Sequence, residues 1–469
     1  MGSIARTDER RPNVVIFLAD DFGFGCLNAN GADKALIRTP NLNRLAKEGL
    51  NFTNAYTTGS VCSPTRYALL TGRYSWRTRL KRGVINSFDG FLIDLDTSTL
   101  ASYLKQQGYQ TAHVGKWHLG YKLGRDKNLL GDLSPGPNDV GFDYHFGVPN
   151  NQDDVHKIYV ENNRIYGLRS NDLSPYGRSF YGRPYVGYDA PQRVTTEVGD
   201  TLTEKAIRWI RQRDRERPFF LYFASTSIHH PISPSERMRG TSDAGAYGDF
   251  IHDTDYAVGQ LMQSLEAIGE LDNTIFVFTA DNGSDLPSDE MRPEVQALNR
   301  GLAVNGSFRG DKHTIYDGGF RVPFLVRWPN GIVGGSERSG LVSTVDLFAT
   351  IVDIVMGEAP APEAGAPDSF SFKEAITERP EKEGRPHLVL RDVQGRKAVV
   401  FGEWKYVSDQ IPESSPQFGK VTLDEELYHL SNDPSETHNR AMENPEVLQR
   451  GKELLERIES IPESRNIDL

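Results

Sequence analysis

The chain has 469 residues, 38% hydrophobic and 25% charged, enough for a large core and for two domains. Its 53 basic and 64 acidic side chains leave a net charge of -11, which argues against a nucleic-acid binder, whose surface is normally basic. No apolar run reaches the length needed to cross a bilayer, and two cysteines, Cys26 and Cys62, cannot build a disulfide framework.

The opening MGSIARTDERRPN is polar and lacks the apolar stretch of a signal peptide. If Met-Gly-Ser stands where a natural leader was cut away, the expected location is periplasmic or secreted; a cytoplasmic one stays open. The run NVVIFLA (13–19) is apolar and rich in β-branched residues, as in a strand buried on both faces, and it stops at Asp20-Asp21. A helical pattern follows Pro40, and then comes Cys62-Ser63-Pro64-Thr65-Arg66 leading into YALLTGR. Pro64 suits a first helical turn, whose free N–H groups favour an anion nearby.

RYSWRTRLKR (73–82) is basic and aromatic, fit either to grip a polyanionic saccharide or to form a solvated turn. A helix is expected from Thr99, and GKWHLG then supplies Lys116 and His118, which face one way if the segment is extended. Residues 121–188, rich in Gly, Asn, Asp and Pro, read as long loops near the site. Asn150, Asn151, Asp153, Asp154 and His156 are their candidate sugar contacts.

Further helices are expected over 197–211 and 249–268, and strands over 218–224, 274–280 and 322–328. Asp281-Asn282 follows the second of these strands. Strands alternating with helices predict an α/β domain with a mostly parallel sheet, whose ligands sit beyond the carboxyl ends of the strands. Asp20, Asp21, Asp281 and Asn282 fall at that edge, and oxygen-only ligands suit calcium or magnesium. After a helix over 343–357, the Pro- and Ala-rich stretch 358–369 reads as a boundary. It divides residues 1–360 from a small α+β domain, 361–469, with three short strand segments and a C-terminal helix.

The string VCSPTR…LLTGR resembles the signature Cys-x-Pro-x-Arg of the type I, formylglycine-dependent sulfatases. The resemblance continues through LADDFG, GKWHLG, IHHP with His229, FTADNG, and Lys312 before a Gly-Gly pair. It reaches the late EWKYV and ELYHLSNDPSE segments, so it spans nearly the whole chain. It implies an alkaline-phosphatase-like fold: a large, mostly parallel mixed sheet flanked by helices, then a smaller C-terminal antiparallel sheet. It also implies that Cys62 is oxidised by a maturation enzyme to formylglycine, whose gem-diol attacks sulfur and later expels sulfate from a sulfo-enzyme intermediate. Calcium rather than magnesium is implied at Asp20, Asp21, Asp281 and Asn282.

In that scheme Arg66 holds the diol, and Lys116, Lys312 and His229 bind the sulfate oxygens. Asp281 assists deprotonation, His229 or Lys312 protonates the leaving oxygen, and His118 takes the proton from the second hydroxyl. The substrate implied is a sulfated saccharide or aryl sulfate, with a faint likeness to sulfatases of galactose or N-acetylgalactosamine sulfates. Two rivals are a phosphonate or phosphodiester hydrolase of the same superfamily and a non-catalytic binder of sulfated glycans. Two positions depart from the pattern: Cys26, where Asp or Asn is usual, and Asp317, where Glu is usual.

Overall fold

The structure is a computed structural model that describes residues 11–122, 128–361, 365–377, 384–411 and 423–467. At its centre five strands run parallel in the order Thr274–Ala280, Asn13–Ala19, Phe219–Ala224, Gln110–Lys116 and Tyr144–Val148. The first strand alternates between two cores. Val14, Ile16 and Leu18 pack with Leu69, Leu104 and Phe348 on one face. Val15 and Phe17 pack with Leu42, Leu202 and Leu261 on the other. Period-two side chains that are apolar on both faces need helices on both faces, and burying each Leu- or Phe-sized side chain contributes about 1.5–3 kcal/mol.

Among the described residues, antiparallel and short strands widen this centre to ten. Leu325–Arg327, Leu50–Phe52 and Ser336–Arg338 extend one edge, and the hairpin Val160–Glu161 with Arg164–Ile165 extends the other. The 322–328 run is therefore shorter than expected, and it runs antiparallel to its neighbour. Pro323 and Pro329 flank the paired residues, and neither can donate to a ladder. Residues 121–188 are not all loop either, since Tyr144–Val148 is a full member of the sheet.

A second sheet of four antiparallel strands runs His387–Arg391, Lys397–Phe401, Trp404–Val407 and Glu426–His429, with the helix Pro445–Ser460 laid on it through Leu454, Leu455 and Ile458. Part of the expected linker, 362–364, lies outside the described residues. Its end is anchored: the buried Asp368 takes two nitrogens of Arg77 and the backbone N–H of Tyr74. No helix among the described residues is long and apolar enough to cross a membrane.

Candidate active site

All the strand ends that carry chemistry lie on one rim. Past Ala19 and Ala280 the pairing continues, with Asp281 N–H donating to Ala19 O (3.1 Å) and Asp20 N–H to Ser227 O (2.9 Å), so three strands deliver Asp20, Asp281 and the 225–229 turn together. Asp21 has a φ of 58°, the left-handed region an Asp tolerates better than a bulky residue, and this turn brings its carboxylate beside that of Asp20. One strand further, Lys116 ends Gln110–Lys116. Gly115 before it has a φ of 124°, and a Cβ there would stand 1.8 Å from Ala224 O, so only glycine lets these strands meet.

The helix Cys62–Thr71 begins at Cys62, its first turn uncapped by any side chain, and ends at Gly72 in the left-handed conformation. Asp20, Asp21, Cys62, Arg66, Lys116, His118, His229, Asp281, Asn282 and Lys312 are all buried. Lys116 Nζ lies 2.7 and 2.9 Å from the Asp20 oxygens and 3.3 Å from Cys62 Sγ. Arg66 donates through Nε (3.0 Å) and Nη2 (2.6 Å) to Asp281 Oδ2, and through Nη1 to Lys116 O. Lys312 Nζ donates to Asp21 Oδ2 at 2.7 Å, and His229 Nε2 is 3.8 Å from the same oxygen.

Potential metal-binding atoms of Asp20, Asp21, Cys62 and Asp281 all lie within 4.8 Å of one another. Asn282 Nδ2 donates to Asp21 Oδ1 at 2.7 Å, while Asn282 Oδ1 is buried without a partner. An orphaned carbonyl oxygen beside three carboxylates is a donor set that a hard divalent cation would complete.

Burial pushes the Asp20 carboxyl up to about 7 even with Lys116 opposing it. Burial acts on Asp281 in the same sense, but Arg66 and Lys116 outweigh it and hold this carboxyl below its usual range. Burial pushes the Cys62 thiol up to about 12, so an unmodified cysteine here stays protonated at neutral pH. His118 and His229 are held well below the ordinary imidazole range by burial and then by neighbouring lysines.

Two expectations change. His118 does not reach the site by strand alternation: its φ is 56°, and Ser63 Oγ holds its carbonyl at 2.8 Å. Asp281 is not free to act as a base, because its oxygens are taken by Arg66 and by Asp21 N–H, and a carboxylate oxygen of Asp20 stands 3.7 Å from Cys62 Sγ. The loop residues offered as sugar contacts are largely engaged within the loop. Asp154 pairs with Arg193, Asp153 binds Lys157 and Tyr185, and His156 meets Tyr188. Cys26 is buried against Ser284 and Val304, away from any ligand role.

The residues with no role assigned from sequence are Lys405 and Glu436. Both come from the late segments EWKYV and SNDPSE, and both close on Asp317. Lys405 Nζ reaches Asp317 (2.8 Å) and Glu436 (2.7 Å), Glu436 accepts from Asp317 N–H, and Tyr56 OH donates to Asp317. The turn they hold, Asp317–Gly319, receives Gly283 N–H at Gly319 O (3.0 Å), one residue past Asn282.

The sulfatase family profile matches residues 12–357 of this chain, across the rim and its helix. The chain belongs to the sulfatase family. It is 34% identical to an N-acetylgalactosamine-6-O-sulfatase of Bacteroides thetaiotaomicron, covering 97% of this chain and 94% of that protein. It is 32% identical to human arylsulfatase A, covering 95% and 87% respectively. A solved structure from work on glycosaminoglycan metabolism by Bacteroides thetaiotaomicron superposes with a TM-score of 0.86 at 33% identity, over 96% of this chain and 100% of that one. Sulfatases are sulfuric ester hydrolases, and the two-sheet architecture is theirs.

In this sulfatase Arg66→Lys is expected to lower kcat by about 100-fold, since one ammonium cannot replace three guanidinium nitrogens that serve Asp281 and Lys116 O at once. Steady-state kinetics on nitrophenyl sulfate check this. A loss of less than about threefold would show that the Asp281 orientation does not matter.

Proposed function

We propose that this sulfatase hydrolyses a sulfate monoester on a sulfated saccharide, with residue 62 converted to formylglycine by a maturation enzyme and calcium bound by Asp20, Asp21, Asp281 and Asn282. The observation that carries this reading is the meeting, around one helix N-terminus, of three carboxylates, an orphaned amide oxygen and the cations Lys116, Lys312 and Arg66. Names of relatives that act on N-acetylgalactosamine sulfate support a sugar substrate. Hydrated, the aldehyde supplies an oxygen nucleophile and a route for expelling sulfate; the cation supplies charge to a sulfate oxygen.

The side chains of this chain do the rest. Lys116 Nζ, already 3.3 Å from the residue 62 side chain, offsets negative charge there, and Arg66 keeps Asp281 turned toward the cation. His229 Nδ1 donates to His230 O at 2.6 Å, which leaves Nε2 as the ring nitrogen facing the sulfate. Lys312 Nζ, anchored on Asp21, binds a sulfate oxygen and delivers a proton to the leaving oxygen. His118 Nδ1, buried with no partner, accepts the proton released at residue 62.

Rates on nitrophenyl sulfate, a nitrophenyl phosphodiester and a panel of sulfated mono- and oligosaccharides test the reading. Phosphodiester turnover above sulfate turnover would overturn it in favour of a phosphohydrolase. Chelation is expected to abolish activity, and calcium at about 100 times its Kd to raise the unfolding free energy by about 2.7 kcal/mol. Asp281→Asn should lose that calcium-dependent stabilisation, read by thermal melting with and without the ion. An equal calcium response in both proteins would exclude Asp281 from the cation site.

A further inference from the structure

Resting on the saccharide reading just given, we infer that a second site, at the far end of the nucleophile helix, binds a sulfated stretch of the same glycan away from the bond being cut. The basic segment 73–82 does not enter the active site. It lines a cavity of about 680 Å³ closed on its other side by the second sheet and the C-terminal helix. Four cations meet there from two parts of the fold: Arg73, Arg77 and Lys81 from the segment, and Lys397 from the second sheet. Only part of this charge is answered. Arg77 is paired with Asp368 and Lys397 with Glu459. Among the described residues, Arg73 Nε is shut from solvent without a partner, and Lys81 Nζ bonds Trp76 O (2.6 Å), with the Glu459 carboxylate that also lines the cavity acting on it.

Trp76 lines the cavity wall but is only 6% exposed: its ring is stacked on Tyr74 (5.3 Å), with Arg77 4.5 Å and Lys397 4.9 Å from its centroid, so it positions these two cations. A cavity on which four cations converge, one of them the exposed Lys81, matches an anionic ligand, with sulfate groups to meet the cations.

Position connects the two sites. The helix from Cys62 to Thr71 is ten residues long, so its two ends are about 15 Å apart. The exposed Lys81 and Arg82 precede Ile85, a buried residue whose N–H donates to Ser63 Oγ (3.1 Å), so the segment is tied from the inside to the start of the same helix. A glycan engaging both sites must therefore span at least this helix length over the surface, and each end then adds to the affinity of the other.

The test uses the full-length Cys62→Ala protein, which binds without turnover, so hydrolysis and this site fail separately. It is titrated by calorimetry, at about 0.15 M salt, with a sulfated dextran oligosaccharide, the unsulfated dextran and sodium sulfate. Adding Lys81→Ala and Lys397→Ala should weaken the sulfated oligosaccharide by about tenfold or more, with the thermal midpoint unchanged to show that the fold is intact. A change below about twofold overturns the proposal, and so does equal affinity for the unsulfated dextran or for free sulfate. If the double variant melts early, Lys81→Ala alone, at an exposed position, is read by the same criteria.

Discussion

Cys62→Ala is expected to cut sulfate release by about 10⁴-fold or more while the protein stays folded, because the proposed covalent step runs through the residue 62 side chain. The substitution removes one atom from a side chain at the start of a helix, a loss of about 1 kcal/mol. Lys116 keeps both Asp20 oxygens, so no charge is stranded. The comparison is made on nitrophenyl sulfate against protein whose mass shows the aldehyde at residue 62, with circular dichroism as the check on folding. Activity within about tenfold of the parent would remove the covalent step.

The second large effect lies far from that bond. Lys405→Ala should cost about 3–5 kcal/mol of stability, read as a lower urea midpoint, because it strands the buried carboxylates of Asp317 and Glu436. Burial already pushes Glu436 up to about 7 with Lys405 opposing it. Without the lysine its folded pKa rises further above the unfolded value, so that stability is present at low pH and lost as pH climbs through the new pKa. The deficit of Lys405→Ala should therefore be smaller at pH 5 than at pH 8. Lys405→Met, which keeps the stem but not the charge, should behave in the same way. A deficit that does not change with pH would assign the cost to packing instead.

The sequence made the parallel centre legible because its strands advertise themselves: NVVIFLA and TIFVFTA are apolar at every position and end in the residues that line the rim. Gln110–Lys116 and Tyr144–Val148 were harder to read, since QTAHVGK and YHFGV mix glycine and histidine into buried strands. Buried polar pairs, such as His113 with His145 (2.8 Å), explain how that mixture is tolerated. The motif residues of the site could be listed from spacing and resemblance, but not their division of labour. Nothing in the string FTADNG tells that Arg66 would occupy Asp281 Oδ2, or that Asp20 would stand beside Cys62. Asp317 lies 88 residues before Lys405 and 119 before Glu436, and contacts at that separation leave no local signature.

The chain leading into Cys62 also leans on the second sheet: Ser60 N–H donates to Arg391 O (3.2 Å), and Arg391 N–H to Thr58 O (3.0 Å). Anyone dissecting this enzyme at the end of the family match, after residue 357, would cut away Arg391, which makes both of those bonds, together with the lysine that neutralises Asp317. A shortened gene should therefore yield insoluble or inactive product. Swaps of substrate preference between relatives should exchange the last hundred residues along with the loops, as one inherited block.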